Sequence, residues 1–147
     1  MAGPALRATP GPGQESVWDY PRPPRVEPSS RRVEVIFAGE VVAASSRAVR
    51  VLETAGAPCW YLPPEDVRTD LLENANFRTN CEWKGVAEHF DLVVGERRSR
   101  KAAWRYAEPL PGYEAIAGYI AFYASRVDAA TVDGESVVPQ PGGYYGG

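Results

Sequence analysis

The sequence predicts a mainly β protein of antiparallel strands with one α-helix in its C-terminal half. Three observations lead there. Short runs alternate apolar and polar residues, as in Val33, Val35 and Phe37 between Arg32, Glu34 and Ile36. Gly and Pro punctuation recurs every ~8–12 residues, the spacing of antiparallel β folds and not of alternating α/β domains. One stretch, "YEAIAGYIAFYASRVDA", repeats instead at helical spacing through Ile116, Ile120, Tyr123 and Val127, with Tyr119 and Phe122 widening its apolar face.

Taken in order, residues 1–16 are rich in Pro, Gly and Ala without apolar periodicity and read as a disordered tail. A single domain is expected over 17–147. "VWDYPRPPRVEP" cannot pair fully in a central strand because proline lacks the N–H, but Trp18 and Tyr20 can pin it to the domain surface. "RRVEVIFAGEVVAASS" predicts two strands around a tight "AGE" turn, and "AVRVLET" a third. "PCWYLP" is a short aromatic strand bounded by prolines, and "PPEDVRTDLLE" a turn followed by a helical turn or another strand. "EHFDLVVG" and "KAAWRYAEP" predict a hairpin with a longer basic loop, "ERRSRK". The helix is expected over about 112–127, and "TVDGESVV" as a last hairpin turning at "DG". The total is roughly eight short strands and one helix.

Bulk properties narrow the function. The 147 residues are 44% hydrophobic and 24% charged, with a net charge of -3, so the chain lacks the positive field that general nucleic-acid binding needs. Two cysteines, Cys59 and Cys81, are too few for a disulfide scaffold or a structural zinc site. No basic start precedes an apolar signal core, and no run reaches the ~18–20 apolar residues of a membrane helix. A cytoplasmic location without membrane association follows as the expectation. No phosphate loop, dinucleotide loop, zinc-protease motif or nucleophile elbow is present, and one histidine, His89, cannot supply a multi-histidine metal site. No cofactor or metal is expected.

The densest chemistry lies in "TNCEWKGVAEHF", residues 79–90. Lys84 approaching Cys81 would lower the thiol pKa, although in a continuous strand 81 and 84 face opposite ways and need a bend between them. The alternative for Cys81 is a small buried hydrophobe. Lys84 precedes a glycine and sits among aromatics, which suits a phosphate or carboxylate ligand; a solvated surface lysine is the competing reading. Glu53, ending an apolar strand, is a candidate polar site residue with Arg47 or Arg50 as partner. Glu65, Asp66 and Asp70 are candidates for an acid–base pair or ordinary turn formers. Tyr61, Trp83, Trp104 and Tyr106, with Trp60, could line a ligand cage or simply form core.

Five ordered blocks, "SVWDYPRPP", "RVLETAGAPCWYLPPEDV", "TNCEWKGVAEHFDL", "AAWRYAEP" and "IAGYIAFYASRVD", resemble the bacterial family known as domain of unknown function 427. Thr79, Cys81, Trp83, Lys84 and Gly85 match that family's central block, with Glu82 replacing its proline and Cys59 lying outside its pattern. The resemblance implies a β-tent: two small antiparallel sheets meeting at an angle, with a helix alongside. Its fold relatives include methionine sulfoxide reductases and the cereblon ligand domain, whose four-cysteine zinc site this chain cannot build. The family's nucleotidyltransferase-like label finds no nucleotide loop with paired aspartates here. Family members continue past the Gly-Gly-aromatic-Gly-Gly stretch, so the resemblance implies a truncation at Gly147.

Three functions are therefore expected as alternatives. The first is a small-ligand-binding module lined by Tyr61, Trp83, Trp104 and Tyr106, with Lys84 and Glu53 orienting the ligand. The second is an enzyme or redox protein using Cys81, with Lys84 stabilising the thiolate and His89 or Glu53 carrying protons. The third is a structural or partner-binding domain. The expected partner is a small molecule of unknown identity.

Overall fold

The computed structural model describes residues 24–52 and 59–137. The expectations for the N-terminal tail, for Trp18, Tyr20 and Glu53, and for the Gly-aromatic ending therefore lie outside the described residues. Among the described residues, eleven strands run in the order β1 (Arg25–Pro28), β2 (Val33–Phe37), β3 (Glu40–Ser45), β4 (Val49–Leu52), β5 (Cys59–Tyr61) and β6 (Leu72–Cys81). They continue with β7 (Gly85–Val94), β8 (Arg97–Arg105), β9 (Ile120–Phe122), β10 (Ala129–Val132) and β11 (Glu135–Ser136). They form three antiparallel sheets, ordered β1-β4-β5, β11-β10-β2-β3 and β6-β7-β8-β9. The mainly β class holds, but there are three sheets where the β-tent resemblance implied two.

The turns follow local chemistry. Ala38 and Gly39 both adopt positive φ, 52° and 78°, and close the predicted β2–β3 hairpin with the twist that a two-residue turn requires. Alanine is strained there, and the Asp128 carboxylate holds it by accepting the Ala38 N–H at 2.7 Å. Asp133 and Gly134, at φ 51° and 82°, make the predicted β10–β11 turn. Proline-bearing β1 lies at a sheet edge, where a missing N–H is tolerated.

Two expectations are corrected. The "ERRSRK" loop is a tight turn ending at Glu96, and Arg97 to Lys101 belong to β8. Two of its four cations are held in ion pairs: Arg97 with Asp128 at 2.7 Å, and Arg98 with Asp91 at 2.8 Å and Glu73 at 3.0 Å. Second, the helix over 112–127 does not exist. Short 3-10 turns at Glu114–Ile116 and Ala124–Arg126 flank β9, and no α-helix occurs among the described residues. Gly118, at φ 73°, breaks any helical path. Ile120 and Phe122 face one core while Ala121 faces another, so β9 is buried on both sides. Such a strand reads as a continuous apolar run, which fits a helical period by coincidence.

The inner part of the third sheet is likewise covered on both faces, whereas its edge strand β6 is largely exposed. One face packs with Val33, Val35, Phe37, Val42 and Trp60 through Leu92, Ala103 and Phe122. Its other face, carrying Ala87, Trp104 and Ala121, packs with Val49, Val51 and Tyr61 of the first sheet. Reciprocal 2.8 Å backbone hydrogen bonds between Leu62 and Ile120 tie β5 to β9. The alternation along "WYL" sends Trp60 and Leu62 into one core and Tyr61 into the other.

Candidate functional site

The second core is where the sequence-predicted residues meet. β8 contributes Trp104 and, just beyond its end, Tyr106; β5 contributes Tyr61. Tyr61 is wholly buried, and its phenol oxygen accepts the Trp104 indole N–H at 3.1 Å. The two rings meet edge to face with centroids 6.0 Å apart, and Tyr106 lies 6.2 Å from Tyr61. Tyr123, which follows β9, packs on Trp104 at 4.4 Å.

Lys84 enters this group from the β6–β7 hairpin. Residues 82–84 form the turn, so the bend required between Cys81 and Lys84 is present. Gly85 leaves the turn at φ 111°, a value that favours glycine, and the Lys84 carbonyl accepts the Leu110 N–H at 2.9 Å. The side chain is only 5% exposed, and its ammonium stands 5.6 Å from the Tyr106 ring centroid. Such a cation–π contact contributes from about 0.5 to 2 kcal/mol, more as water is excluded. Cys81 and Cys59 are both partly buried and both pack against this aromatic cluster. Burial pushes the Tyr123 hydroxyl up in pKa, while the charges of Arg126 and Lys84 pull the other way.

His89 lies on the same face two residues beyond Ala87. It is 4% exposed, with Nε2 2.8 Å from Thr79 Oγ1, and it stacks on Tyr123 and meets Phe77 edge-on. Its Nδ1 has no hydrogen-bond partner among the described residues. Burial lowers its pKa, and the Arg126 and Lys101 charges lower it further. A neutral imidazole is the consequence.

Other candidates sit elsewhere. Trp83 is 41% exposed on the hairpin turn and does not join the aromatic cluster. Asp66 is taken by Ser45 Oγ at 2.6 Å and Arg47 at 2.9 Å, and Asp70 by Arg68 at 2.9 Å, so they are separate ion pairs and not a carboxylate couple. Arg50 pairs with Glu27 at 2.7 Å. Sequence reasoning missed Tyr123, because assigning it to a helix hid its place beside Trp104. It also missed the Thr79–His89 contact, which only the β6–β7 pairing creates.

The family's sequence pattern matches residues 25–133, which span every residue of this cluster. The chain belongs to the family described as domain of unknown function DUF427. No curated protein matches the DUF427 chain. Among its described residues, no three His, Cys, Asp or Glu side chains gather to hold a metal ion, and no helix is long and apolar enough to cross a membrane.

Proposed function

We propose that this DUF427 domain is a small-ligand-binding module, with Lys84 directing an anionic group of the ligand and Tyr61, Trp104 and Tyr106 forming the wall behind it. The observation that carries the reading is the enclosure of Lys84 at 5% exposure against Tyr106. Lysine is among the residues least often buried, since its charge loses hydration there. An ammonium held beside a phenol ring suits a phosphate or carboxylate on a flat or apolar body. Glu53, next in sequence after β4, is proposed as the acidic group that orients the rest of the ligand.

A thermal-shift screen against carboxylates, phosphate monoesters and nucleotides tests this. At least one class should raise the melting temperature of the parent protein and fail to do so for Lys84→Met. If no probe stabilises the parent, or Lys84→Met responds equally, the reading is lost.

The position of Cys81 favours a second reading, in which its thiol is reactive. The hairpin turn brings Cys81 and Lys84 onto one cluster, and Cys59 provides an internal comparison. Iodoacetamide labelling followed by mass spectrometry should modify Cys81 faster than Cys59, with the difference shrinking in Lys84→Met. Equal or inverted rates would leave Cys81 a packing residue.

A further inference from the structure

The β6–β7 hairpin has a second face, and none of its chemistry is used by the ligand reading above. Cys81, Ala87 and His89 turn toward the aromatic core, so Asn80, Val86 and Glu88 turn the other way. There they line a cleft of about 420 Å³ together with Arg78, Glu108 and Leu110, a volume in the range of ligand sites. Its floor is apolar: Val86 and Leu110 are 49% and 42% exposed, two of the five large hydrophobics left open to solvent among the described residues. Two of its three charged groups, Arg78 and Glu108, are uncommitted. The side chains of Arg78, Asn80 and Glu108 make no hydrogen bond or ion pair among the described residues. Arg78 stands opposite Glu88 in the β6–β7 register, yet Glu88 reaches instead to Arg105 at 3.4 Å.

The layout along the hairpin sets the size of the occupant. Leu110 and the backbone carbonyl of Glu108 flank Gly85, which pairs with Cys81, whereas Arg78 lies three rungs farther along. At about 3.3 Å per residue the Arg78 rung and the Gly85 rung, where Glu108 joins the lining, are ~10 Å apart. A free amino acid is too short to bridge them, and an extended tripeptide, at ~3.3–3.6 Å per residue, is long enough.

We propose that this cleft binds a short extended peptide. Its terminal carboxylate meets Arg78 and Asn80, an apolar side chain rests on Val86 and Leu110, and its amine faces Glu108. Arginine suits the carboxylate because its planar fork donates two parallel hydrogen bonds. Binding here does not depend on Lys84 or the aromatic core.

The probe is the tripeptide Ala-Leu-Ala, titrated into the isotope-labelled chain and followed by amide and indole NMR shifts. Saturable shifts are expected at Asn80, Val86 and Leu110, with the Trp104 indole N–H unmoved. C-terminal amidation of the probe, or Arg78→Gln, should each weaken binding about tenfold or more. N-acetylation should weaken binding to the parent and leave it unchanged for Glu108→Gln. Free leucine should bind at least tenfold more weakly than the tripeptide. The proposal is overturned if no saturable shift occurs, if Arg78→Gln binds equally, or if the shifts centre on the Trp104 indole. Shifts at these amides that follow protein concentration alone would assign the cleft to a second copy of the chain, and also overturn it.

Discussion

The indole N–H of Trp104 donates to the phenol oxygen of Tyr61 across 43 positions of sequence, inside a core where both rings are shielded from water. This bond joins β8 of the third sheet to β5 of the first, so it fixes the wall of the proposed ligand site and the junction of two sheets together. Tyr61→Phe keeps the ring but leaves a buried indole donor without that acceptor. The expected loss is about 1–3 kcal/mol of unfolding free energy. In a urea-denaturation double-mutant cycle with Trp104→Phe, the hydrogen bond should show a coupling of ~0.5–1.5 kcal/mol. Additive effects would mean that the indole N–H and the phenol oxygen do not act together.

Acid should weaken the fold through the chain's one histidine. The folded state lowers the His89 pKa, by burial first and by Arg126 and Lys101 next. Below the unfolded value of ~6.5 the unfolded chain binds a proton that the folded chain resists. His89 neutrality therefore stabilises fully above ~6.5, and stability falls as pH drops from there, by up to ~1.4 kcal/mol per unit, until the lowered folded-state pKa is reached. In His89→Gln the stability measured between pH 5 and 7 should be much flatter.

Asp91 should contribute in a separate, lower window. Burial disfavours its charge, but the Lys101 backbone N–H at 3.0 Å and Arg98 at 2.8 Å outweigh that and keep its pKa below the usual value. Its contribution is present above the unfolded carboxylate value of ~3.9 and is lost as pH falls through the folded one. Asp91→Asn should cost about 1.5–3 kcal/mol at neutral pH, read by denaturant unfolding, and less in acid.

Gly118→Ala gives opposite signs for the two conformations of its segment. In a helix the change would stabilise by about 1 kcal/mol. At φ 73°, with no atom near the added Cβ, it should instead destabilise by roughly 1–2 kcal/mol through backbone strain alone. A melting-temperature comparison decides between them.

Trp83→Ala should cost about 1 kcal/mol, well below the ~3–5 kcal/mol of a fully buried tryptophan, because 41% of the residue stays exposed. It should also leave intact any ligand response that Lys84→Met removes. Loss of that response would bring Trp83 back into the site.

Local signals carried much of this fold. The alternation over Val33–Phe37 and the turn pairs Ala38-Gly39 and Asp133-Gly134 each act within a few residues, and each appears as a strand or turn. The strand β6 was only partly legible. Its ten residues, three of them Asn, lack apolar alternation, because most of this edge strand faces solvent. For β9 the cause was the reverse: burial on both faces erased the polar half of the pattern. Lys84 was legible as a residue of interest beside Gly85, but its enclosure was not, since Tyr106 lies two strands farther along, beyond β8.

By itself, then, the sequence determined the β class, the hairpin turns, the family and the chemical types available in "TNCEWKGVAEHF". Those are written in period, turn residues and ordered blocks, all short-range properties of the chain. Tertiary structure decided which of those groups meet. The pairing of β6 with β7 placed Thr79 against His89, and docking of the first sheet on the third placed Tyr61 on Trp104. The same pairing turned Arg78 and Asn80 to the opposite face. Side-chain direction in a strand reverses at every residue, so register, set by long-range packing, decides which face each group serves.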